Sequence, residues 1–556
     1  MGGKTKIFKD PVYGYISIKG TFTTTFIDTP CFQRLRHIMQ TSYSPVYASS
    51  LHNRFSHSLG VYHLGEIVYK QIESFLYNNQ DRFKFNAESI QWVKNHEDIF
   101  LVACLLHDVG HSPFSHTGEV FYEMYINNFY DIVYDTISTH GNCNFQEIAE
   151  NHGTNANPHE CMSVLIALKI FTDYFEGIAP EDKEFFSRCI LGYKYTNKDA
   201  EVEMELTQIK NCLIELLNSN LIDVDKLDYI IRDAFMSGYQ NVSIDYYRLL
   251  GGMVIVPDQD EIVLAYHKSA QSVIENVIYA HDCERKWIQN HPVILYESFL
   301  LDYCIKKVNE YFEQKGGNTH PLFSIGSLTT EGNIIGPLFS SESTDILNIN
   351  LLSDIDILFF IKNMASCQDS LTEEYFNRNL RRHPLWKSEG EYKFLLENMK
   401  PKSKDKINKV FTKIDQLFAQ ITEKEKLVPP VINDKSFELI KKRGIEFAFC
   451  KAFFEILKNF SEDQHIDFDF VLIPAIGFQS NFSKIEIENI KVWYPYDEKP
   501  TETVGKADLS LFAERKENRY FYLYFMRKED RKIEIAKIIQ LFNDLIEKYI
   551  ELNRPK

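Results

Sequence analysis

The stretch Leu105–His116 constrains the fold of this chain most, because it places several polar, metal-binding side chains directly behind an apolar run. The apolar run predicts a buried helix, and the adjacent pair His107 and Asp108 follows at its end. His111 lies one turn beyond His107 on the same face, since residues four apart are neighbours on a helix. A glycine and a proline then break the helix, so that His116 starts a new turn beside it. Polar groups this dense beside a buried run need partners, and a metal ion is the partner that this set of donors favours.

One histidine–aspartate pair supplies too few ligands for a metal, so further ligands are expected elsewhere in the chain. His57 begins an amphipathic helical pattern, and Arg54 precedes it by about one turn, where it could meet a phosphate. Asp225, Tyr229 and Asp233 recur every four residues, which places two carboxylates and a phenol on one helix face. Taken alone, this charged helix is more typical of a solvated face. Together with the other two segments it indicates a site.

In this order the residues resemble the H…HD…D motif of the HD superfamily of metal-dependent phosphohydrolases. The proposed metal ligands on this pattern are His57, His107, Asp108 and Asp225. Residues 6–14, 27–36 and 52–61 resemble, more closely, the dNTP triphosphohydrolases of that superfamily, which include the vertebrate SAM-and-HD-domain enzyme and bacterial relatives. The resemblance covers about residues 6–310. It implies a mainly α fold: an HD-domain helical core with a smaller mixed α/β C-terminal region.

The resemblance also implies a reaction, in which water attacks the α-phosphorus of a dNTP and releases the deoxynucleoside and inorganic triphosphate. The donor set suits a divalent transition metal, namely iron, manganese, zinc or nickel, and Mg²⁺ could accompany the triphosphate. Four residues match the catalytic positions of the family: His111, His116, His159 and Glu160. We predict that His116 protonates the leaving 5′-oxygen and that His111 and His159 contact the α-phosphate.

Substrate-binding residues follow from the same resemblance. They are Gln40 for the 3′-hydroxyl, Arg54 and Lys226 for phosphate, and Tyr229 and Asp233 near the sugar. The chain departs from the family at the residue that packs against the 2′ position. No tyrosine stands there, and Trp287 or Ile288 takes its place. The resemblance therefore does not extend to the residue that excludes a 2′-hydroxyl in the family.

A second nucleotide site is expected near the N-terminus. Five residues match positions that hold an activating nucleotide between subunits in the family: Lys6, Asp28, Gln33, Arg36 and Arg248. Aspartate and glutamine can read a base edge by hydrogen bonds, and arginine can stack or pair. The alternative is that Asp28 is only a helix cap in an Asp-Thr-Pro sequence. The nucleotide reading predicts a homo-oligomer, dimer or tetramer, whose assembly is linked to activity.

The composition of the chain excludes several kinds of protein. The chain has 556 residues, a net charge of −17 and no long apolar run, so a membrane span and broad nucleic-acid binding are not expected. Its ten cysteines form no CxxC pair and its N-terminus has no apolar leader, which favours a cytoplasmic protein. We predict three regions: an HD core at 1–310, a helical extension at 311–430 and a mixed α/β part at 431–556. Residues 251–266 should form a hairpin, residues 468–474 and 519–525 strands, and residues 533–552 a closing helix.

Two other functions stay open at this point. One is an HD phosphodiesterase or nuclease. The presence of the substrate-binding residues Gln40, Lys226, Tyr229 and Asp233 argues against this function, and the acidic net charge disfavours binding of long DNA. The other is a nucleotide sensor without activity, which the complete ligand set disfavours, because a sensor has no need of an open metal position. The biological role expected for a triphosphohydrolase is control of the dNTP pool, or depletion of dNTPs in phage defence.

Overall fold

The computed structural model describes residues 5–42, 44–119, 156–174, 178–195, 201–219, 222–239, 243–314, 352–363, 369–399, 406–422, 431–443, 447–476, 490–496, 501–503, 519–527 and 532–553. The chain forms two compact units, and both are discontinuous in sequence. The first unit contains residues 1–284, 315–359 and 480–514, and the second contains residues 285–314, 360–479 and 515–556. The division into 1–310, 311–430 and 431–556 stays a prediction.

Helices dominate the described residues, as the sequence predicts. The first unit contains the longer helices Arg54–Asn78, Ala87–Asn95, Glu97–Leu106, Pro158–Tyr174, Pro180–Leu191, Glu201–Leu217, Val224–Ser237 and Gln271–Cys283. Its short helical segments are Gly20–Phe22, Thr23–Ile27, Pro30–Gln33, Arg34–His37, Gln80–Phe83, His116–Glu119, Tyr246–Gly251 and Lys268–Ala270. Segment Glu284–Gln289 and helix Asp354–Asn363 cross the division between the units. The second unit contains helices Pro292–Gln314, Ser370–Phe376, Arg378–Leu380, Glu389–Glu397, Lys406–Thr422, Asp434–Arg443, Phe447–Gln464 and Ile535–Leu552.

Three small sheets accompany these helices in the described part of the chain. In the first unit β1 (Lys6–Asp10) and β2 (Gly14–Ile18) form an antiparallel hairpin. Strands β3 (Met253–Asp258) and β4 (Glu261–His267) form the hairpin predicted at 251–266, and β8 (Lys491–Trp493) and β9 (Thr501–Thr503) extend it in the order β3-β4-β8-β9. The second unit has the sheet β5-β10-β7-β6, made of β5 (His383–Pro384), β6 (Val431–Ile432), β7 (Phe470–Ile476) and β10 (Arg519–Phe525).

The prediction of a mainly α fold with a smaller mixed part is confirmed. Strands β7 and β10 and the closing helix Ile535–Leu552 lie where the alternating and amphipathic patterns predict them. The sequence patterns do not predict hairpin β1–β2. Among the helices that the structure describes, none is both long and apolar enough to cross a membrane.

The core of the first unit positions the candidate site. Helix Arg54–Asn78 packs along helix Glu97–Leu106, which is buried from Phe100 to its end. Gly65 permits this close packing, because a Cβ there would lie 2.7 Å from the Sγ of Cys104. In the second unit the core surrounds Trp386, whose indole N–H donates to the carbonyl of Phe521. In the first unit, the packing of helices Arg54–Asn78 and Glu97–Leu106 brings the start of the former close to the end of the latter.

Candidate active site

Three helices deliver the four proposed metal ligands from their ends. Asn53 caps helix Arg54–Asn78 by accepting from the amide of Ser56, and His57 lies in the first turn. Helix Glu97–Leu106 ends earlier than predicted, so that His107 caps it and Asp108 lies in the following turn. Asp223 caps helix Val224–Ser237 in the same way, and Asp225 lies in its first turn. The caps fix where each helix starts and therefore where each ligand points.

The four predicted ligands converge. The Nε2 atom of His57 lies 2.9 Å from Asp225 Oδ1, 3.3 Å from His107 Nε2 and 3.5 Å from Asp108 Oδ2. His107 Nε2 lies 3.6 Å from Asp225 Oδ1 and 3.5 Å from Asp108 Oδ1. The side chains of His57, His107 and Asp108 are almost fully buried, while that of Asp225 is 38% exposed. One side of the cluster is therefore accessible.

The outer ring nitrogens of both histidines are already occupied. His57 Nδ1 lies 2.7 Å from Asp228 Oδ2, and His107 Nδ1 lies 2.9 Å from the carbonyl oxygen of Cys104. With Nδ1 donating in each ring, both Nε2 atoms present lone pairs toward the carboxylates. Two imidazole nitrogens and two carboxylate oxygens are ligands that a divalent transition metal accepts. This donor set fits such a metal ion.

A second cluster adjoins the first and contains three of the four predicted catalytic residues. The rings of His111 and His159 stack with centroids 4.2 Å apart, and His116 lies edge-on to His111 at 5.0 Å. Glu119, which the sequence patterns do not single out, joins them: its carboxylate pairs with His159 Nδ1 and lies 3.2 Å from His116 Nδ1. The Nε2 atoms of His111 and His159 lie 3.9 and 4.0 Å from Asp108 Oδ1, so the two clusters meet at Asp108.

The charges in this second cluster are set by burial and by Glu119. Burial disfavours the cationic form of His159, but the neighbouring Glu119 outweighs it and raises the pKa of His159 to about 9. Burial lowers the pKa of His111 well below its usual value, and the cations Arg54 and His159 act in the same direction. At neutral pH the cluster therefore contains a protonated His159 and a neutral His111. The side chain of His116 is 62% exposed.

Glu160, the fourth predicted catalytic residue, is not brought into this cluster. Its carboxylate accepts hydrogen bonds from the backbone and side chain of Asn157 and from the side chain of Asn218. These contacts tie the start of helix Pro158–Tyr174 to the end of the neighbouring helix Glu201–Leu217. In this arrangement Glu160 orders the helix that holds His159.

The loop between His111 and His116 has an unusual backbone. Phe114 and Ser115 have φ values of +60° and +55°, a left-handed conformation that non-glycine residues rarely adopt. Asp354, more than two hundred residues further along the chain, holds this loop: its Oδ1 accepts from the amide of Phe114 at 2.6 Å. Its Oδ2 accepts from the amide of Met39 at 2.8 Å. The loop geometry thus depends on a carboxylate from outside the predicted HD core.

Arg34 adds a second brace to the same loop. Its Nη2 donates to the carbonyl oxygens of Val109 and His111 at 3.0 and 2.7 Å, and its Nη1 donates to that of Leu352 at 2.8 Å. Arg34 is buried, and no sequence pattern marks it as part of the site. The segment around Leu352 is therefore joined to the active-site loop at two points, through Arg34 and through Asp354.

Several predicted substrate-binding residues make contacts within the protein. Arg54 donates to Asp108 Oδ2 at 2.7 Å and to Ser115 Oγ at 2.9 Å. Lys226 donates to the carbonyl of Ser219 and pairs with Asp223. Asp233 lies 2.7 Å from His52 Nε2 and is buried.

The remaining residues near the proposed substrate differ in burial and in their contacts. Gln40 is buried, and its side-chain oxygen has no hydrogen-bond partner among the described residues. Tyr229 lies half-buried on the same helix as Asp225. Of the two residues proposed for the 2′ position, Ile288 is buried and Trp287 is 49% exposed.

The residues predicted to bind an activating nucleotide lie around the first hairpin. Lys6 Nζ lies 3.3 Å from Asp28 Oδ1, Gln33 accepts from Arg36 Nε at 2.8 Å, and both pairs are exposed. The helix cap in this sequence is Thr29, whose side chain accepts from the amide of Phe32, so the reading of Asp28 as the cap is wrong. Arg248 lies exposed on the short helix Tyr246–Gly251.

A cavity of about 250 Å³ is lined by one member of this set. Its lining includes Arg36, whose guanidinium sits 3.5 Å from the ring centroid of Phe55, itself a lining residue. Lys9, His52 and Arg232 line it as well. The cavity therefore combines an aromatic face with basic side chains.

Comparison with known proteins finds a family match for the part of the chain that contains three of the four proposed ligands. Residues 54–173 match the HD domain family model, and this range contains His57, His107 and Asp108. An uncharacterised protein of Bacillus subtilis, YwfO, is 28% identical over 333 residues, which cover 59% of this chain and 62% of that protein. The deoxynucleoside triphosphate triphosphohydrolase SAMHD1 of Bos taurus is 32% identical over 319 residues, covering 56% of this chain and 49% of the relative. Human SAMHD1 is 28% identical over 323 residues, covering 56% and 46%.

The HD domain match and the SAMHD1 relatives confirm the resemblance to HD-superfamily dNTP triphosphohydrolases. The chain spans between about half and two thirds of the length of the relatives named above. Solved structures agree on the fold. A hypothetical protein from Aquifex aeolicus aligns with a TM-score of 0.51 at 17% identity, covering 98% of this chain and all of that chain. A phosphohydrolase from Bacteroides thetaiotaomicron aligns with a TM-score of 0.51 at 19% identity, covering 94% of this chain and all of that chain.

Proposed function

We propose that this chain, which contains an HD domain, is a metal-dependent phosphohydrolase that cleaves dNTPs into deoxynucleoside and inorganic triphosphate. One observation carries the proposal: ligand atoms of His57, His107 and Asp108 lie close enough together to hold one ion, and Asp225 Oδ1 lies 2.9 Å from His57 Nε2 and 3.6 Å from His107 Nε2. The names of the SAMHD1 relatives supply the substrate class. Iron, manganese, zinc or nickel would suit the four ligands, and Mg²⁺ could accompany the triphosphate.

Different side chains of the site would hold the metal, contact the phosphate and bind the sugar. A divalent metal at the four ligands would lower the pKa of a water molecule and offset charge on the phosphate. His111, buried with both ring nitrogens unpartnered among the described residues, can donate to or accept from the α-phosphate region. The cationic His159 beside Asp108 adds positive charge there. Gln40 offers its side-chain oxygen to the 3′-hydroxyl.

Protonation of the leaving group completes the reaction. A sugar alkoxide leaves poorly, so an acid must protonate the 5′-oxygen as the bond to phosphorus breaks. His116 suits this task, because desolvation lowers its pKa and so makes the charged ring a readier proton donor, while Glu119, 3.2 Å from its Nδ1, opposes that shift. The Glu119 carboxylate thus pairs with the rings of both His116 and His159.

Regulation by a nucleotide is the second part of the proposal. Asp28 and Arg36 are exposed, Arg36 lines the cavity near Phe55, and Asp28 is not needed as a helix cap. A nucleotide bound there between two copies of the chain would favour a dimer or tetramer by mass action. The free, buried cysteines among the described residues are consistent with a cytoplasmic role in dNTP-pool control or phage defence.

The test is product analysis with the purified chain. Each of the four dNTPs and each ribonucleotide is incubated with Mn²⁺, Fe²⁺, Zn²⁺ or Ni²⁺, singly and in mixtures, and a cyclic dinucleotide and a linear DNA duplex are incubated in parallel. Products are separated by anion exchange. We expect tripolyphosphate and nucleoside from at least one dNTP, and none from the His107→Ala variant. Cleavage of a cyclic dinucleotide or of DNA ends without release of tripolyphosphate would instead support the phosphodiesterase or nuclease function. Nucleotide binding without any product would support a sensor.

A further inference from the structure

A buried chain of charged groups runs from the first hairpin to the proposed metal ligand His57. Asp228 Oδ2 lies 2.7 Å from His57 Nδ1 and also accepts from Arg232 Nε at 2.9 Å. Arg232 Nη2 donates to Asp228 Oδ1 at 3.0 Å, so the guanidinium grips both oxygens of that carboxylate. Arg232 Nη1 donates to Asp10 Oδ2 at 2.8 Å. The sequence pattern marks Asp225, Tyr229, Arg232 and Asp233 on this helix and does not mark Asp228.

These groups are shielded from solvent. Asp228 is 0% exposed, Arg232 1% and Asp10 3%, so their charges have to be satisfied by one another. The planar guanidinium fork matches a carboxylate bidentately and fixes its orientation, which a single hydrogen bond does not. The direction of the Asp228 carboxylate, and through it the ring of His57, is therefore set by Arg232.

The neighbouring helix leaves room for this pair. Gly60 lies one turn beyond His57 on helix Arg54–Asn78. A Cβ at Gly60 would stand 1.9 Å from Asp228 Oδ1 and 2.4 Å from Arg232 Nη2. Any larger residue at this position would push the carboxylate and the guanidinium away from their places.

Asp10 anchors the far end. Its Oδ1 accepts from the amides of Val12 and Tyr13 at 2.8 and 2.9 Å, which fixes the turn between β1 and β2. Its other oxygen is thereby aimed at Arg232. Asp10 and Arg232 also line the cavity that Arg36 lines. The Asp10 end of this row of charged groups therefore borders the proposed nucleotide site.

We propose that Asp10 and Arg232 are positioning residues for the metal ligand His57 and act on it through Asp228. A carboxylate that accepts from Nδ1–H fixes the tautomer of a metal-binding histidine and makes its Nε2 a stronger ligand. The proposal rests on the metal-binding part of the proposed function and on no other part of it.

The test measures binding of Co²⁺ alone to the full chain, by titration and by the visible absorption of the bound ion. Loss of an outer partner of a metal-binding histidine typically lowers metal affinity about 10- to 100-fold, and we expect this for Asp228→Asn. Asp10→Asn keeps the size of the side chain and lies two links from His57. We expect it to lower Co²⁺ affinity by a smaller factor, about 3- to 10-fold, and to shift the absorption band in the same direction.

Glu184→Gln is the matched control. Glu184 accepts from Arg188 Nε at 2.8 Å in another buried pair of the first unit, on helix Pro180–Leu191. Its loss should lower the melting temperature as the loss of any buried carboxylate partner does, but leave Co²⁺ affinity and spectrum unchanged. Gly60→Ala displaces Asp228 without removing a charge and should reproduce the Co²⁺ phenotype of Asp228→Asn.

Four outcomes of this experiment are distinguishable. Unchanged Co²⁺ affinity and spectrum in folded Asp10→Asn and Gly60→Ala would overturn the proposal. Equal changes in the Glu184→Gln control would also overturn it, because the effect would then be general destabilisation. If Asp228→Asn does not fold, Asp10→Asn and Gly60→Ala decide the question by themselves. Co²⁺ binding with the expected shifts, in a wild-type chain that releases no tripolyphosphate, would sustain this inference and refute the proposed reaction.

Discussion

Replacing Asp354 by alanine should impair the reaction without removing any proposed ligand or catalytic group. Asp354 accepts the amide of Phe114 at 2.6 Å and the amide of Met39 at 2.8 Å from a buried position. Phe114 lies in the loop between His111 and His116, so the substitution frees that loop at its most strained point.

The magnitude follows from the contacts. A hydrogen bond to a charged group contributes about 1.5–3 kcal/mol, and a left-handed non-glycine residue costs about 1–3 kcal/mol. Phe114 and Ser115 both have that conformation, so the loop relaxes once its acceptor is gone. Since about 1.4 kcal/mol is a factor of ten in population or rate, kcat should fall about 10- to 100-fold.

The assay compares kcat, metal content and melting temperature at pH 8. Asp356→Ala is the control, because Asp356 accepts from Ser353 at the start of the same helix and is not bonded to the loop. We expect a loss of kcat in Asp354→Ala alone, with unchanged metal content in both variants. A folded Asp354→Ala protein with kcat within threefold of wild type would show that the loop keeps its catalytic geometry without this carboxylate.

Three further predictions concern the metal, pH and activation. His107→Ala and Asp108→Ala should abolish both bound metal and turnover, and full metal occupancy of the double variant by elemental analysis would contradict the ligand assignment. Burial raises the pKa of Asp354 to about 7, above the value of about 3.9 in an unfolded chain. The folded state therefore binds this proton more tightly, and the contribution of Asp354 to stability falls as pH rises from about 4 through 7. Measured by urea unfolding, the free energy of unfolding should fall less between about pH 5 and 8 in Asp354→Asn than in the wild type. An identical fall in both proteins would exclude Asp354 as its source. Arg36→Ala should reduce the increase that one dNTP causes in the rate of hydrolysis of another, with the metal retained. Equal rates for single nucleotides and mixtures in the wild-type chain, with an unchanged sedimenting mass, would remove the regulatory site.

The amino-acid sequence predicts the parts of the site that are local in the chain. The pair His107 and Asp108 follows an apolar run, and His57 begins an amphipathic pattern, so local periodicity is enough to place these ligands on helix ends. The mainly α fold and the strands β7 and β10 follow from the period of the apolar residues.

The partners of those ligands cannot be predicted in the same way, because tertiary packing sets them. Asp228 is 171 residues from His57 and Asp354 is 240 residues from Phe114, and no spacing rule connects such pairs. Arg54 is predicted to meet phosphate, yet in the structure it holds Asp108 and Ser115. Strand β8 pairs with β4 of the hairpin from more than two hundred residues away. The three-residue segment 491–493 is too short for its sequence to predict this pairing.

The proposed reaction requires that water attack the α-phosphorus of a dNTP at the HD site. Turnover in ¹⁸O-labelled water, followed by mass spectrometry of the products, identifies the atom that water attacks. We expect one labelled oxygen in the tripolyphosphate and an unlabelled deoxynucleoside. A labelled monophosphate with pyrophosphate, or label in the nucleoside, would contradict attack at the α-phosphorus with release of intact triphosphate.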